Sequence, residues 1–249
     1  MSDSLAGRVV LVTGGGTGIG AAITAQLADA GAAVVLGQST QAKAEAAVAE
    51  LTTSSRTISG VGADLSSAHA CSEIVATVLE RHGRIDILVN NAGITGAPAT
   101  GPFLEFSDEH LDAVIDVNLK AAFRCARNAA RDMATRGTGV IVNISSVAAY
   151  AAQLDASAYV ASKAGLVGLT RAMAFELAPL GIRAVCVAPG DIVVDGSAVV
   201  HPGVSASASG SGSGSAPGPA SALQPNRRWL RDTPLGRRGT PDDVASVVT

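Results

Sequence analysis

Aromatic side chains make up only 3% of the 249 residues, with a single tryptophan among them. That scarcity, set against an abundance of Ala, Val, Gly and Leu, suits helices packed closely on a parallel sheet and argues against a β-sandwich. Cysteine is sparse as well: Cys71, Cys125 and Cys186 are odd in number, widely spaced and without a CxxC pair, so neither a disulfide framework nor a zinc site is expected. They read as buried apolar thiols. His69, His82, His110 and His201 fit no ligand spacing, and no metal is expected. No basic stretch precedes a long apolar run, and no run is long enough to span a bilayer; Val9 to Val12 is strand-length and leads straight into glycines. A cytoplasmic protein fits. A basic excess is missing too, since the net charge is −3, which leaves no electrostatic ground for nucleic acid or an anionic membrane as partner. A small molecule is the expected partner.

Hydrophobic residues nevertheless reach 47%, ample for one large core, and residues 1–249 are expected to form a single domain. Strand-like runs recur at Val9 to Val12, Ala33 to Leu36, Thr57 to Val61, Ile85 to Val89, Val140 to Ile144 and Arg183 to Val187. Helical patterns alternate with them, as in Ile19, Ile23 and Leu27, which predicts βαβ units and a parallel sheet covered on both faces. Ligands of such sheets bind beyond the carboxyl ends of the strands. Ser107 is expected to cap a long helix carrying Leu111, Val114, Ile115 and Leu119 on its apolar side, and a second long helix to run from about Ser157 to Leu177. Residues 205–221 consist only of Ser, Ala, Gly and Pro and read as a flexible excursion within a region at 191–235 that covers the site. Thr240-Pro241 with Asp242 and Asp243 announces a last helix, and the sequence ends at Thr249.

Two segments carry chemistry. Thr13-Gly14-Gly15-Gly16-Thr17-Gly18-Ile19-Gly20 follows the first strand and opens a helix, so that backbone N–H groups can approach a pyrophosphate at a positive helix end. A merely tight turn would use the same glycines, and the loop alone leaves both readings open. Tyr159 and Lys163, four apart in a helical segment, project from one face. A free phenol titrates at about 10, and bringing it near 7 takes roughly 4 kcal/mol. A cation at about 4 Å under an effective dielectric of about 20 supplies that order. Tyr159 is thereby expected to act as acid in carbonyl reduction and as base in the reverse. Ser146, at the end of a strand upstream, supplies a hydroxyl to hold the carbonyl oxygen.

In order along the chain, these segments resemble the short-chain dehydrogenase/reductase family. Its TGxxxGxG pattern matches Thr13 to Gly20, its adenine-side acidic residue Asp64 in Ala63-Asp64-Leu65, its NNAG Asn90-Asn91-Ala92-Gly93, and its active-site asparagine Asn118. Ser146, the YxxxK pair Tyr159 and Lys163, and Pro189-Gly190 complete the set. The resemblance implies a Rossmann-like doubly wound α/β fold and an NAD(P)-dependent oxidoreductase acting on a carbonyl or secondary alcohol. Asn118, Ser146, Tyr159 and Lys163 would be catalytic, with Lys163 also bonding the nicotinamide ribose and Asn118 holding a water. Gly14, Thr17, Gly18, Ile19, Gly20, Ser39, Thr40, Asp64, Leu65, Asn91, Ala92, Gly93, Pro189, Gly190 and Ile192 would line the cofactor. Similarity runs to 3-oxoacyl-thioester reductases, the favoured substrate class, which would bring an acyl carrier as partner. Sugar or small-alcohol dehydrogenases and a non-catalytic dinucleotide-binding protein stand as alternatives.

The chain departs from the family pattern at three places. Val194 stands where many relatives carry Thr, leaving backbone groups of Ile192 for the carboxamide. The covering region contains the 205–221 run, and no final strand follows the last helix, so six strands are expected where relatives have seven. NADP(H) is favoured over NAD(H) because the second strand leads into Gly37-Gln38-Ser39-Thr40 without an acidic residue, and the Ser39 and Thr40 hydroxyls can accept a 2′-phosphate. A homodimer through the helices of Asn118 and Tyr159 is expected, lined by Ala121, Ala122, Ala126, Ala129, Ala164, Leu169 and Ala172, and a tetramer is not. Arg227, Arg228, Arg231, Arg237 and Arg238 form a basic stretch that reads as a solvated face or a dock for an anionic carrier.

Overall fold

The structure, a computed structural model, describes residues 4–194 and 237–249. Six strands form one all-parallel sheet in the order β3-β2-β1-β4-β5-β6: β1 Val9–Thr13, β2 Ala33–Gln38, β3 Thr57–Gly62, β4 Ile87–Asn90, β5 Gly139–Ile144 and β6 Ile182–Val187. The central strand β1 is buried throughout because helices cover both faces, and this is why its sequence is a continuous apolar run without alternation. Register sorts the side chains: Leu11 pairs beside Val35 and Leu88 and, with Ile141, faces Ile74 and Val78 of α3 (Ala68–His82) and Ala129 and Met133 of α5 (Ala121–Arg136). Val10, Val12, Val34 and Val89 face the other way, onto Ile23 and Leu27 of α1 (Gly18–Asp29) and Ala245 of the last helix, Pro241–Val248. Thr240 caps that helix through a capping box with Asp243.

All six expected strands are present, with ends moved by one or two residues. β4 starts at Ile87 because Asp86 bends away to bond the neighbouring strand: its N–H donates to Val9 O and its carboxylate accepts from Val9 N at 2.9 Å. The side chain of Asp86 is only 4% exposed and meets Arg84 at 2.5 Å, Arg136 at 3.2 Å and Arg8 at 3.4 Å. Burial pushes its pKa up, but Arg84, the Val9 amide and Arg136 together hold the carboxyl below its ordinary value.

The long helix expected after Ser107 is instead three pieces: α4 (Asp108–Ile115), a π-helical turn over Asp116–Lys120, and α5. The wider turn carries Asn118, whose amide bonds the backbone of Ile94 outside the helix, and such one-residue insertions gather at functional positions. Its consequence downstream is rotational. The α5 alanines Ala121, Ala122, Ala126 and Ala129, expected at a subunit contact, are buried in the chain's own core, and Phe123, Arg124 and Arg127 face outward instead. On α6 (Ser157–Leu177) the expected Ala164 and Ala172 do lie exposed. Cys71 and Cys125 are buried as expected, whereas Cys186 is only partly so. The 205–221 run and Arg227, Arg228 and Arg231 lie outside the described residues. Arg237 pairs with Asp243 and Arg238 with Asp191, so these two members of the basic stretch carry acidic partners.

Candidate active site

The carboxyl ends of β1, β4 and β5 lie side by side along one edge of the sheet. Gly14 follows β1 at φ +62°, a left-handed conformation suited to glycine, and a Cβ on Gly20 would stand 2.0 Å from Gly14 O. The loop is held from below: Thr13 Oγ1 accepts from the N–H groups of Asn91 and Ala92, and Asn91 Nδ2 donates to Thr13 O and Gly14 O. Asn91 thus shapes the loop through its side chain. Thr17, the N-cap of α1, makes no side-chain cap bond, and the first turn carries no acidic residue. Its amides remain available to an anion. Val194 reaches the loop too, since a Cβ on Gly18 would meet its Cγ1 at 2.8 Å.

At the end of β2, Thr40 caps α2 (Gln41–Leu51) by accepting from Lys43 N, and Lys43 Nζ donates to Ser39 Oγ at 3.2 Å. Gln38 lies against Gly16 with its buried amide nitrogen unpartnered. One oxygen of Asp64 accepts from the N–H and hydroxyl of Ser66, while Leu65 is buried and its carbonyl accepts from Cys71 Sγ. An uncapped helix start, a loop that admits no side chains and an orphaned amide at the neighbouring strand end together fit a dinucleotide.

The two serines after β5 differ in what they touch. Ser145 Oγ is buried and donates to Lys163 O at 2.9 Å, whereas Ser146 Oγ accepts from Ala148 N and stands close enough to the Tyr159 phenol to act on its titration. Lys163 is buried, its Nζ donating to Ile144 O at 2.9 Å and standing 5.7 Å from the Tyr159 ring centre. Burial lowers its pKa to about 8, with Cys186 acting in the opposite direction. The expected depression of the Tyr159 pKa is not found in the chain by itself: burial raises it, and the Ser146 hydroxyl only partly offsets this. The reason is geometric, since the lysine is aimed at a carbonyl and not at the phenol. Asn118 Oδ1 accepts from Ile94 N at 2.7 Å and Nδ2 donates to Ile94 O, so its bonds run to another segment of the chain. Pro189 O accepts from Val147 N, tying the loop after β6 to the segment that follows Ser146, and Ile192 bridges to Gly239.

A family model described as short chain dehydrogenase matches residues 8–202. The chain belongs to the short-chain dehydrogenase family. Among this dehydrogenase's relatives, the 3-oxoacyl-[acyl-carrier-protein] reductase FabG of Chlamydia pneumoniae is 32% identical over 99% of this chain and 90% of its own length. Dehydrogenase/reductase SDR family member 4 of Homo sapiens is 39% identical over 76% of this chain and 67% of its own. Among solved structures, levodione reductase superposes with a TM-score of 0.80 at 31% identity, covering 98% of this chain and 90% of that one. A metagenomic short-chain oxidoreductase in complex with NADP gives 0.75 at 34% identity over the same shares. The dehydrogenase is an NAD(P)-dependent oxidoreductase acting on a carbonyl or the corresponding alcohol. Among its described residues no helix is long and apolar enough to cross a membrane.

Gln38, Lys43 and Ser162 are site neighbours that the sequence reading missed. Lys43 carried a usable signal, standing three residues after the Thr40 cap where a first-turn side chain returns toward the strand end. Gln38 and Ser162 carried none, because their roles depend on packing between distant segments.

Proposed function

We propose that the protein is an NADPH-dependent ketone reductase whose favoured substrates are 3-oxoacyl thioesters, with Asn118, Ser146, Tyr159 and Lys163 as its catalytic set. The observation that carries this reading is the meeting of the Ser146 hydroxyl and the Tyr159 phenol above a buried Lys163, next to a loop built for a pyrophosphate. The dinucleotide, when bound, supplies the hydride. Ser146 holds the carbonyl oxygen, and Tyr159 gives it a proton as negative charge develops there. The thioester preference is supported by the likeness to FabG, whose name states an acyl-carrier substrate, and an acyl carrier is the matching partner. NADPH oxidation is expected with a 3-oxoacyl thioester at a kcat/KM above that for simple sugars and small ketones. Oxidation with none of a panel of thioesters, ketones and sugars, while dinucleotide still binds, would favour a binding protein without turnover.

Lys43 and Ser39 support NADP(H), since an ammonium beside a hydroxyl at the start of a helix suits a 2′-phosphate. Lys43→Ala is expected to raise the KM for NADPH roughly 5- to 10-fold through loss of about 1 kcal/mol, in line with an exposed charge contact, and to leave the KM for NADH unchanged. Equal effects on both cofactors would remove Lys43 from phosphate recognition.

The outer faces of α5 and α6 support a homodimer. Leu119, Phe123, Gly165 and Leu169 line a shallow apolar cavity of about 420 Å³ rimmed by Lys120, Arg124 and Arg127. Light scattering at micromolar concentration is expected to give twice the chain mass, and Phe123→Glu the chain mass itself. A monomeric parent protein would refute the contact.

A further inference from the structure

We infer that Ser162 is a positioning residue of the active site, holding the Asn118 amide so that its oxygen faces Lys163. This rests on the reading of Tyr159 and Lys163 given above. Ser162 is completely buried and belongs to the turn of α6 between those two residues.

The hydrogen bonds leave one arrangement. Ile94 N–H can only donate, so the Asn118 atom 2.7 Å from it is the oxygen; Ile94 C=O can only accept, so the atom 3.1 Å from it is the nitrogen. The Ser162 hydroxyl gives its proton to Tyr159 O at 2.7 Å, and toward Asn118 Nδ2, 3.2 Å away, it is therefore an acceptor. Both amide protons of Asn118 are then used, and one lone pair of Oδ1 remains. That oxygen lies where Lys163 lies: a Cβ on Gly93 would stand 3.3 Å from Asn118 Oδ1 and 3.5 Å from Lys163 Nζ. The bare face of Gly93 is shared by an acceptor and an ammonium, so that one water placed there can bond both.

Ser162 supplies what Ile94 cannot. Ile94 fixes the amide to the loop after β4, whereas Ser162 fixes it to the carbonyl of the catalytic tyrosine itself, so the π-helical turn and α6 keep one relative position. Without the hydroxyl, a buried N–H of Asn118 loses its acceptor, and the amide is held by Ile94 alone, no longer tied to α6.

The test is a double-mutant cycle between Ser162→Ala and Asn118→Ala, with active sites counted by NADPH fluorescence titration. Ser162→Ala in the parent protein is expected to lower kcat about 10-fold, with the KM values for NADPH and ketone changed less than about 2-fold. In the Asn118→Ala background the same substitution is expected to change kcat less than about 2-fold, because its effect passes through Asn118. An unchanged kcat in the parent, or an equal loss in both backgrounds, overturns the inference. Ser162→Cys, close in size and poor at hydrogen bonding, carries the same comparison if the alanine variant does not fold. Ser162→Thr, which keeps the hydroxyl, is expected to regain most of the parental kcat. Tyr159→Phe separates the two failures: full activity in that variant refutes the site reading, whereas an inactive Tyr159→Phe beside a fully active Ser162→Ala refutes only the role of Ser162.

Discussion

Replacing Tyr159 by Phe is expected to lower kcat for ketone reduction at least about 100-fold while dinucleotide binding stays near its parental strength. The substitution keeps the ring, which packs with Ala99, Val114 and Ala158, and removes only the hydroxyl that lies toward Ser146. Ground-state contacts are little changed and the proton donor is lost, so the deficit should fall in kcat and not in KM. Stopped-flow measurement of NADPH oxidation under single-turnover conditions reads the chemical step itself. Turnover within a factor of three of the parent would remove Tyr159 from the role of acid.

Lys163→Met is expected to abolish turnover and at the same time to stabilise the fold at pH 7 by roughly 3 kcal/mol. The second effect follows from linkage. Burial lowers the lysine pKa from 10.5 to about 8, so folding disfavours the charged form, and every tenfold loss of proton affinity corresponds to about 1.4 kcal/mol. The sign sets a pH window. Below about pH 8 the folded and unfolded chains both carry the proton and the cost to the parent is complete. Between about pH 8 and 10.5 the folded chain sheds its proton before the unfolded one, so the parent gains stability as pH rises. The advantage of the methionine variant should therefore be largest at neutral pH and shrink through that window, as urea titrations at pH 7 and pH 10 can establish. A variant less stable than the parent at pH 7 would mean that the bond from Lys163 to Ile144 O outweighs the burial of the charge.

The fold was legible because its signals are local. Val9 to Val12, with glycines behind it and a 3.6-residue pattern after that, allows one reading, and the βαβ alternation then dictates the sheet. The motif residues were legible one at a time for the same reason. What escaped depends on contacts between segments far apart in sequence. Whether Lys163 faces a phenol or a carbonyl is decided by where β5 ends beneath α6, and the four-residue spacing says nothing of it. The π-helical turn adds one residue to an otherwise helical run and turns the side chains after it by about 100°, without leaving a trace in composition. Ser145 and Ser146 are adjacent and chemically identical, and only the pleat of the chain leaving β5 separates them into a backbone tie and a partner of Tyr159.

The Asp86 cluster joins Arg8, Arg84 and Arg136 at the amino ends of β1, β4 and β5, the far side of the sheet from the candidate active site. Only Asp86 is buried, while Arg8, Arg84 and Arg136 are partly exposed, so losing one arginine costs less than the about 3 to 5 kcal/mol typical of breaking a fully buried pair, and losing several together approaches it. This makes the protein a favourable starting point for laboratory redesign in one direction only. Randomised libraries confined to the loops after β4, β5 and β6 leave the charged clasp intact and should return mostly folded variants with altered substrate choice. Libraries that include Arg8, Arg84, Asp86 or Arg136 should lose expression before any change in selectivity can be scored, and circular permutation should fail when the new termini fall between Arg84 and Ile87.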